Sequence, residues 1–519
     1  MNHPRFGVLL KFVQLAMAVV GILAMLAAIA GAPRFVLNDG RLTPTFSILA
    51  GNPPYFPLDH GLVLNTCYAP LSYFYYIPCA LFGHDITWTI CFGSLMSLAA
   101  FMIPLVLVIR HGRKAGWDAV GFWLLILGGF QILGLGSLDY SAFAIHADAP
   151  AVLFSSLCVL LLAPRREGDA VSARALFASA VFGVAAAWTK QTYAAVSVLP
   201  LLVAVLDRNP WGRRLTLAAW IGLLHACLFA VFALWCGKDA LLDNIVKVPK
   251  VFPTHDVGFL YSIPVAGGGH LRSVVVAMHI LTGKYLTPYL LGLALCSLLM
   301  LRPGGVRTAE FPLQLPRLSR LCFGLAAMNL PMSASVALAS GASVNSDTPF
   351  AWFFVLGIVA LLAQPFSPNA LAPFPGAIRV VGLVFTALAM AAFLSAAAHL
   401  PASFKTLARV RSNDEAALVQ HCRTEPDAYY FPNHPLAEYL ATGRLFNYMY
   451  MVDCRSALRT PAPDDFRRHI PAKFTLIGFP PGFCDADAMT NYLGPLPACA
   501  PPAWAANLDL QWNSLGSPR

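Results

Sequence analysis

Long apolar runs, each close to the length that crosses a lipid bilayer, are the feature that most constrains this chain. A transmembrane helix needs about 20 predominantly apolar residues, and the sequence contains many runs that meet or approach that length. The composition agrees, because only 12% of the residues are charged, against about 25% in soluble domains. So little charge cannot cover a soluble surface, so we expect the apolar surplus to face lipid. This excludes a cytosolic enzyme, a secreted protein and a disordered chain.

The runs predict an all-α polytopic membrane protein with about eleven transmembrane helices, by the usual length criterion. Two or three of the runs are short for a full crossing. The predicted spans are Val8–Gly31, Ile86–Ile109, Trp117–Gly136, Ala147–Ala163, Ala173–Ala187, Tyr193–Leu206, Leu215–Trp235, Val274–Leu301, Leu321–Ser340, Pro349–Ala363 and Val380–Leu400.

One further apolar segment, Tyr68–Pro78, is too short to cross and is rich in tyrosine. Tyrosine favours the headgroup region, where the ring is buried and the hydroxyl stays wet. The segment therefore predicts an interfacial, juxtamembrane helix at 68–78, within a first outer loop at 32–85.

The distribution of basic residues predicts the orientation. The net charge is +10, and Lys and Arg cluster between apolar runs, which is typical of membrane topology and not of nucleic-acid binding. With the N-terminus in the cytoplasm, 16 Lys and Arg fall in inner segments and 8 in outer loops before residue 401, as the positive-inside rule requires. An odd number of spans then places residues 401–519 outside, after a transmembrane domain at 1–400.

The segment from 401 to 519 differs from the rest in being proline-rich and polar. We expect it to form a small extracytoplasmic α+β domain. Four cysteines in an exported domain predict two disulfides with three alternative connectivities, and four free thiols are the alternative. They are Cys422, Cys454, Cys484 and Cys499.

Two acidic residues are predicted at the outer boundary of the membrane, Asp39 after the first span and Asp148 at the start of the fourth. A carboxylate there is costly unless it is hydrated, paired or bound to metal, so both are candidate catalytic residues. Asp148 is equally well explained as a helix cap. Asp39 is predicted to lie beyond the C-terminal end of its helix, where the helix dipole does not stabilise a negative charge.

Cations and polar groups on the same face are candidates for binding a substrate. Lys190 between two apolar runs is suited to a phosphate oxygen, although a lysine that extends to the interface looks the same in sequence. Asn345 and Asp347 precede a span and suit hydrogen bonds to a sugar, or the cap of a turn. The loop after the seventh span adds Lys247, Lys250 and Arg272 as candidate ligands of a phosphate.

These residues, in this order, resemble the GT-C superfamily of polytopic glycosyltransferases, of the protein O-mannosyltransferase and aminoarabinose transferase type. The first motif is Asp39-Gly40 where the family frequently has Asp-Glu, so only Asp39 carries over. The other matching segments are 49–55, Tyr68–Tyr73, His146–Ala149, Thr189–Thr192 and Gly341–Pro349.

The resemblance implies a polyprenyl-phosphate-linked sugar as donor, an envelope acceptor, inversion at the anomeric carbon and a bacterial inner-membrane location. It implies Asp39 as the base, Asp148 as a second catalytic residue, the four basic residues as phosphate ligands, and Tyr68 and Tyr73 as substrate contacts. No metal ligand is assigned, which leaves metal dependence open, and the sugar and acceptor are not indicated. Two alternatives remain, a transporter or flippase of a lipid-linked sugar and a non-catalytic membrane scaffold.

Overall fold

The computed structural model describes residues 4–250 apart from 36, 65, 114–117 and 165–168, and then 316–337, 347–363, 375–408, 414–448, 465–479, 493, 496–505 and 510–514. Within these ranges, each predicted span coincides with most of a helix. Val274–Leu301 lies outside the described residues, so the count of about eleven spans stays a prediction.

The described helices of the membrane part follow one another with short connections. Between them, 3₁₀ turns cover Ala32–Arg34, Ile77–Phe82 and Gln191–Tyr193, and a π turn covers Asp243–Lys247. The helices are α1 (Pro4–Gly31), α2 (Leu37–Leu49), α3 (Leu71–Tyr75), α4 (Ile86–Gly112), α5 (Ala119–Gly134), α6 (Gly136–Phe143), α7 (Asp148–Leu161), α8 (Ala173–Ala187), α9 (Ala194–Leu206), α10 (Trp211–Cys236), α11 (Lys238–Leu242), α12 (Val248–Lys250), α13 (Arg317–Ala337), α14 (Thr348–Ala363) and α15 (Pro375–Ala408).

Several helices begin where the sequence supplies a side-chain cap. Asp85, Asp118 and Ser172 accept hydrogen bonds from backbone N–H groups in the first turns of α4, α5 and α8. Such caps satisfy donors that have no partner inside the helix. Helix α8 then packs closely on α9, because a Cβ at Gly183 would lie 2.8 Å from the carbonyl oxygen of Val196.

Four described helices are long and apolar enough to cross a membrane, at Lys11–Arg34, Ile86–Gly112, Trp211–Cys236 and Val380–Ala402. Helices α5 and α6 together meet the same test but are bent by 93° at the break between them. Large apolar side chains project outward from α1, among them Val8 at 70% and Phe12 at 68% exposure. Such a surface suits a lipid environment and not water.

The first outer loop is more helical than predicted. Asp39 lies beyond the end of α1, as predicted, but it also lies in the first turn of α2, so the prediction that it gains nothing from a helix dipole was wrong. The interior Pro44 and the Asn-Asp-Gly start make this stretch resemble a loop in sequence. The predicted juxtamembrane helix at 68–78 is instead the single turn α3 followed by a 3₁₀ turn over Ile77–Phe82.

Residues 414–514, here called the C-terminal region, contain helices and a small sheet, as predicted. The helices are α16 (Asp414–Thr424) and α17 (Pro435–Thr442), and Gly443, with φ 70°, directly follows α17. Strand β2 (Leu476–Phe479) pairs in parallel with β1 (Tyr429–Tyr430) and antiparallel with β3 (Gln511–Ser514). The preceding helix, α15, continues past residue 400, where the domain boundary is predicted. That boundary stays a prediction.

The expected disulfides are not supported by the structure. Cys422 is a buried free thiol and Cys499 a half-buried one, while Cys454 and Cys484 lie outside the described residues. Cys422 packs in the apolar cluster that also contains Phe431, Leu436 and Trp512. A free cysteine in such a place behaves as a small apolar side chain.

Candidate functional site

A small pocket lies between α2, α3 and the segment that connects α6 to α7. The polar side chains of Arg41, Tyr68 and His146 are among those that line it. The remaining lining residues are Ser72, Tyr73, Tyr76, Ile145 and Ala147. Two long-range hydrogen bonds fix this arrangement, from Ile145 N to Asn38 Oδ1 at 2.8 Å and from Tyr76 OH to the carbonyl oxygen of His146 at 2.9 Å.

Asp148 contacts His146 but is not among the residues that line the pocket, and it forms a buried ion pair with Lys190. Lys190 Nζ is 2.8 Å from each carboxylate oxygen, and the Asp148 and Lys190 side chains are 0% and 8% exposed. Both predicted residues are therefore brought together, although 42 residues separate them in sequence. The pair has one positive and one negative charge, which keeps the carboxylate ionised without a net charge in the protein interior.

His146 connects Asp148 to the pocket. Its Nδ1 is 2.8 Å from Asp148 Oδ2, and its Nε2 is 2.6 Å from the hydroxyl of Tyr68. Burial, with the positive charges of Arg41 and Lys190 nearby, lowers the pKa of His146 to about 3 although Asp148 opposes the shift. The imidazole is therefore neutral at neutral pH.

Arg41 is a buried cation on the pocket wall. Its Nη2 donates to the hydroxyl of Tyr140 at 2.7 Å and its Nη1 to the carbonyl oxygen of Ile145 at 3.3 Å. Within the described ranges these partners are neutral, and the guanidinium also faces the ring of Phe35 at 5.6 Å. A buried guanidinium with neutral partners is a favourable site for an anion, above all a phosphate or carboxylate.

Asp39 has a different environment from that predicted. Its carboxylate is fully buried and accepts hydrogen bonds from Leu436 N at 2.7 Å and Ala437 N at 3.0 Å, in the first turn of α17. Burial, and then the charge of Glu415, raises the pKa of Asp39 to about 8. Asp39 thus joins α2 to the C-terminal region and is not among the residues that line the pocket.

The glycine after Asp39 explains why the frequent Asp-Glu pair is absent here. A Cβ at Gly40 would lie 2.5 Å from Cζ of Tyr448, closer than any side chain allows. Tyr448 is itself held by a hydrogen bond from its backbone N–H to the carbonyl oxygen of Val63 at 2.7 Å. A larger residue at position 40 would have to displace the Tyr448 ring, so this packing of the C-terminal region on α2 favours glycine.

Of the other candidate residues, two lie at or near the pocket and one lies on the surface. Tyr73 lines the pocket, and Asp347 is buried near Asp148, where burial raises its pKa to about 7. Lys247 is exposed and pairs with Asp243 at 2.5 Å, so the structure does not bring it to the pocket. Lys250 ends α12, and Arg272 and Asn345 lie outside the described residues.

Sequence reasoning missed two central groups, Arg41 and His146. His146 belongs to a segment that carries the family resemblance and Arg41 directly follows the Asp39-Gly40 motif, but neither was given a role. Their signal was weak, because a basic residue in an outer loop and a histidine before a span are common. Only the fold places them on one wall with Tyr68.

The fold is similar to that of a solved membrane protein over almost the whole chain, which confirms the polytopic helical fold that the sequence indicated. The chain is similar to the crystal structure of ArnT from Cupriavidus metallidurans bound to undecaprenyl phosphate, with a TM-score of 0.51 and 14% identity over 98% of this chain and 99% of that one. It is similar to the apo form of that protein with a TM-score of 0.50 and 13% identity over the same shares. No protein-family model and no curated protein sequence matches this chain significantly.

Proposed function

We propose that this protein is a membrane glycosyltransferase that moves a sugar from a polyprenyl phosphate to an acceptor in the cell envelope. One observation carries the proposal: a buried guanidinium, Arg41, has neutral protein partners on the wall of a pocket in a GT-C fold. A phosphate would supply the missing negative charge. The solved neighbour ArnT is bound to undecaprenyl phosphate, which supports a lipid carrier of this chemical class.

The leaving group in this reaction is the lipid phosphate. As the bond from the anomeric carbon to the phosphate oxygen breaks, negative charge develops on that oxygen, and a fixed cation stabilises it. We assign this role to Arg41. Lys190, predicted to bind the phosphate itself, acts by holding Asp148 ionised.

The acceptor hydroxyl must lose its proton as its oxygen bonds to the anomeric carbon. The chain from Asp148 through His146 to Tyr68 supports this transfer, because Tyr68 faces the pocket and His146 is neutral. The proton passes to His146 Nε2 through the Tyr68 hydroxyl, and Asp148 stabilises the resulting imidazolium. Asp39 as the base stays a prediction, which its two backbone hydrogen bonds do not favour.

Direct attack by the acceptor, with no enzyme nucleophile, gives inversion at the anomeric carbon. We place the reaction on the outer face of a bacterial inner membrane, with a cytoplasmic N-terminus, because the basic residues are distributed in that sense. The phosphate of a polyprenyl carrier lies at the headgroup plane while its tail stays in lipid. An envelope acceptor on that face would reach the same plane.

The test is a comparison of envelope glycans by mass spectrometry in strains with the gene, without it, and complemented with Arg41→Met or Arg34→Met. Arg34 is exposed and lies seven residues before Arg41, so it is the matched control. We expect one sugar substituent to be lost in the deletion strain and in Arg41→Met, and retained in Arg34→Met. Unchanged glycans in the deletion strain would contradict the proposal. Movement of a lipid-linked sugar across vesicles without formation of a glycosidic bond would favour the transporter alternative.

A further inference from the structure

A second polar cluster lies where α2 meets the C-terminal region. Asp39 comes from α2, Glu415 from the first turn of α16, and His434 directly precedes α17. The three side chains belong to residues that are 0%, 2% and 6% exposed. One ligand atom from each lies within 4.8 Å of the other two, and Glu415 Oε1 is 3.7 Å from His434 Nδ1.

A third carboxylate stands beside this cluster. Glu438 is 1% exposed and close enough to Asp39 for the two charges to interact. Its Oε1 accepts a hydrogen bond from Phe431 N at 2.8 Å, whereas its Oε2 has no hydrogen-bond partner among the described residues. A buried carboxylate oxygen without a donor is costly, and a cation at the centre of the cluster would remove that cost.

We infer that Asp39, Glu415 and His434 bind one divalent transition-metal ion, with Zn²⁺ as the best match. One imidazole nitrogen and two carboxylate oxygens are ligands that Zn²⁺ accepts at about 2.0–2.2 Å. Ligands at that distance from a single ion stand about 3–4 Å apart, so the 3.7 Å separation of Glu415 and His434 already fits. The ion neutralises the two carboxylates, and Glu438 is near enough to support them.

The surrounding backbone already orients one of these ligands. Leu436 N and Ala437 N donate to the two oxygens of Asp39, and each oxygen retains a second lone pair for a metal. Hydrogen bonds of this kind fix the direction of metal ligands and raise affinity. The ion would join the first outer loop to the C-terminal region and hold α2, which also carries Arg41. The site itself does not depend on the proposed reaction.

The experiment uses the full-length protein purified in detergent, with any affinity tag removed. After treatment with EDTA and dialysis, the protein is titrated with Zn²⁺ alone, and bound metal is measured by mass spectrometry. We expect about one tightly bound ion per chain, as for a single closed site, and a rise in the melting temperature on binding.

Variants separate this site from adventitious binding. Glu415→Gln and His434→Ala should lose the ion and the thermal shift, whereas Glu425→Gln and His469→Ala, in the same region but away from the cluster, should keep both. Glu438→Gln should weaken binding by about 10- to 100-fold, as for groups that support metal ligands. Retention of the ion at full affinity in Glu415→Gln and His434→Ala would overturn the inference.

A second measurement covers variants that fail to fold. The unaltered protein loaded with Co²⁺ should show visible absorption of a four- or five-coordinate site with a nitrogen ligand. Absence of both this band and the Zn²⁺ shift would overturn the inference. Neither readout needs the enzymatic activity, so failure of the metal site and failure of the proposed reaction are distinguishable.

Discussion

Asp148 and Asp39 are both fully buried, and the sequence places both at the outer boundary of the membrane, yet their surroundings differ in charge. Asp148 faces Lys190 and a histidine, so its carboxylate is balanced within the protein. Asp39 faces backbone N–H groups, the imidazole of His434 and a second carboxylate, Glu415. A buried carboxylate whose charge is neutralised by a cation, as Asp148 is, can stay ionised and orient a base beside a substrate. A buried carboxylate without such a cation, as Asp39 is, requires a proton or a metal ion.

The largest expected effect is on the transfer rate, and it concerns His146, the histidine that contacts Asp148. His146→Gln keeps a hydrogen-bonding side chain but removes the group that accepts the proton. General-base catalysis contributes about 10²- to 10⁴-fold, so we expect transfer to fall by that factor while the protein folds normally. The control is His60→Gln, at an exposed histidine. Equal transfer rates for the two variants would remove His146 from the mechanism.

The second prediction concerns the free energy of unfolding that is lost when Asp148 is left without its cation, Lys190. Lys190→Met leaves a buried carboxylate without its cation, and breaking such a pair costs about 3–5 kcal/mol. We expect that loss in the free energy of unfolding of the purified protein in mixed micelles. The double variant with Asp148→Asn should recover most of it, because no buried charge then remains. Additive losses would show that the two side chains act independently.

The third prediction concerns Asp39, the carboxylate without a paired cation. Asp39→Asn keeps the shape but weakens the acceptor for the first turn of α17, so by analogy with helix caps we expect a loss of about 0.5–2 kcal/mol. Transfer should fall less than in His146→Gln. Parallel assays of thermal unfolding and of transfer distinguish a structural role of Asp39 from a role as the base. A complete loss of transfer with unchanged stability would support Asp39 as the base.

The smallest predicted effect is a pH dependence of stability. Burial lowers the pKa of His146 from 6.5 to about 3 in the folded protein. The unfolded chain therefore binds an additional proton as the pH falls below 6.5, and stability decreases from there towards pH 3. We expect the melting temperature to fall less between pH 7 and pH 5 in His146→Gln than in the unaltered protein. Identical slopes would show that another group dominates.

Much of the fold was predictable because a membrane-spanning helix can be recognised from the length and apolar composition of its own sequence. Helices such as α4 and α10 are long apolar runs, and no distant contact is needed to recognise them. Helix α2 was missed because its mean hydropathy is low and it contains Pro44. Its stability comes from packing on α17 and Tyr448, which no local pattern shows.

The site was only partly predictable for the same reason. Asp148 and Lys190 stood out as charges in an apolar setting, and they form an ion pair next to His146, which lines the pocket. Their pairing, and the approach of Glu415 and His434 to Asp39 across almost 400 residues, depends on tertiary structure. Arg41 and His146 have ordinary sequence surroundings, so only the pocket reveals them.

Binding of undecaprenyl phosphate to the purified protein tests the central claim most directly. Affinity would be measured by native mass spectrometry for the unaltered protein, Arg41→Met and Arg34→Met, with undecaprenol as the ligand that lacks the phosphate. We predict that the phosphate form binds the unaltered protein and Arg34→Met alike, and that Arg41→Met reduces its affinity to that of undecaprenol. Equal binding of the phosphate form to Arg41→Met and Arg34→Met would contradict the account.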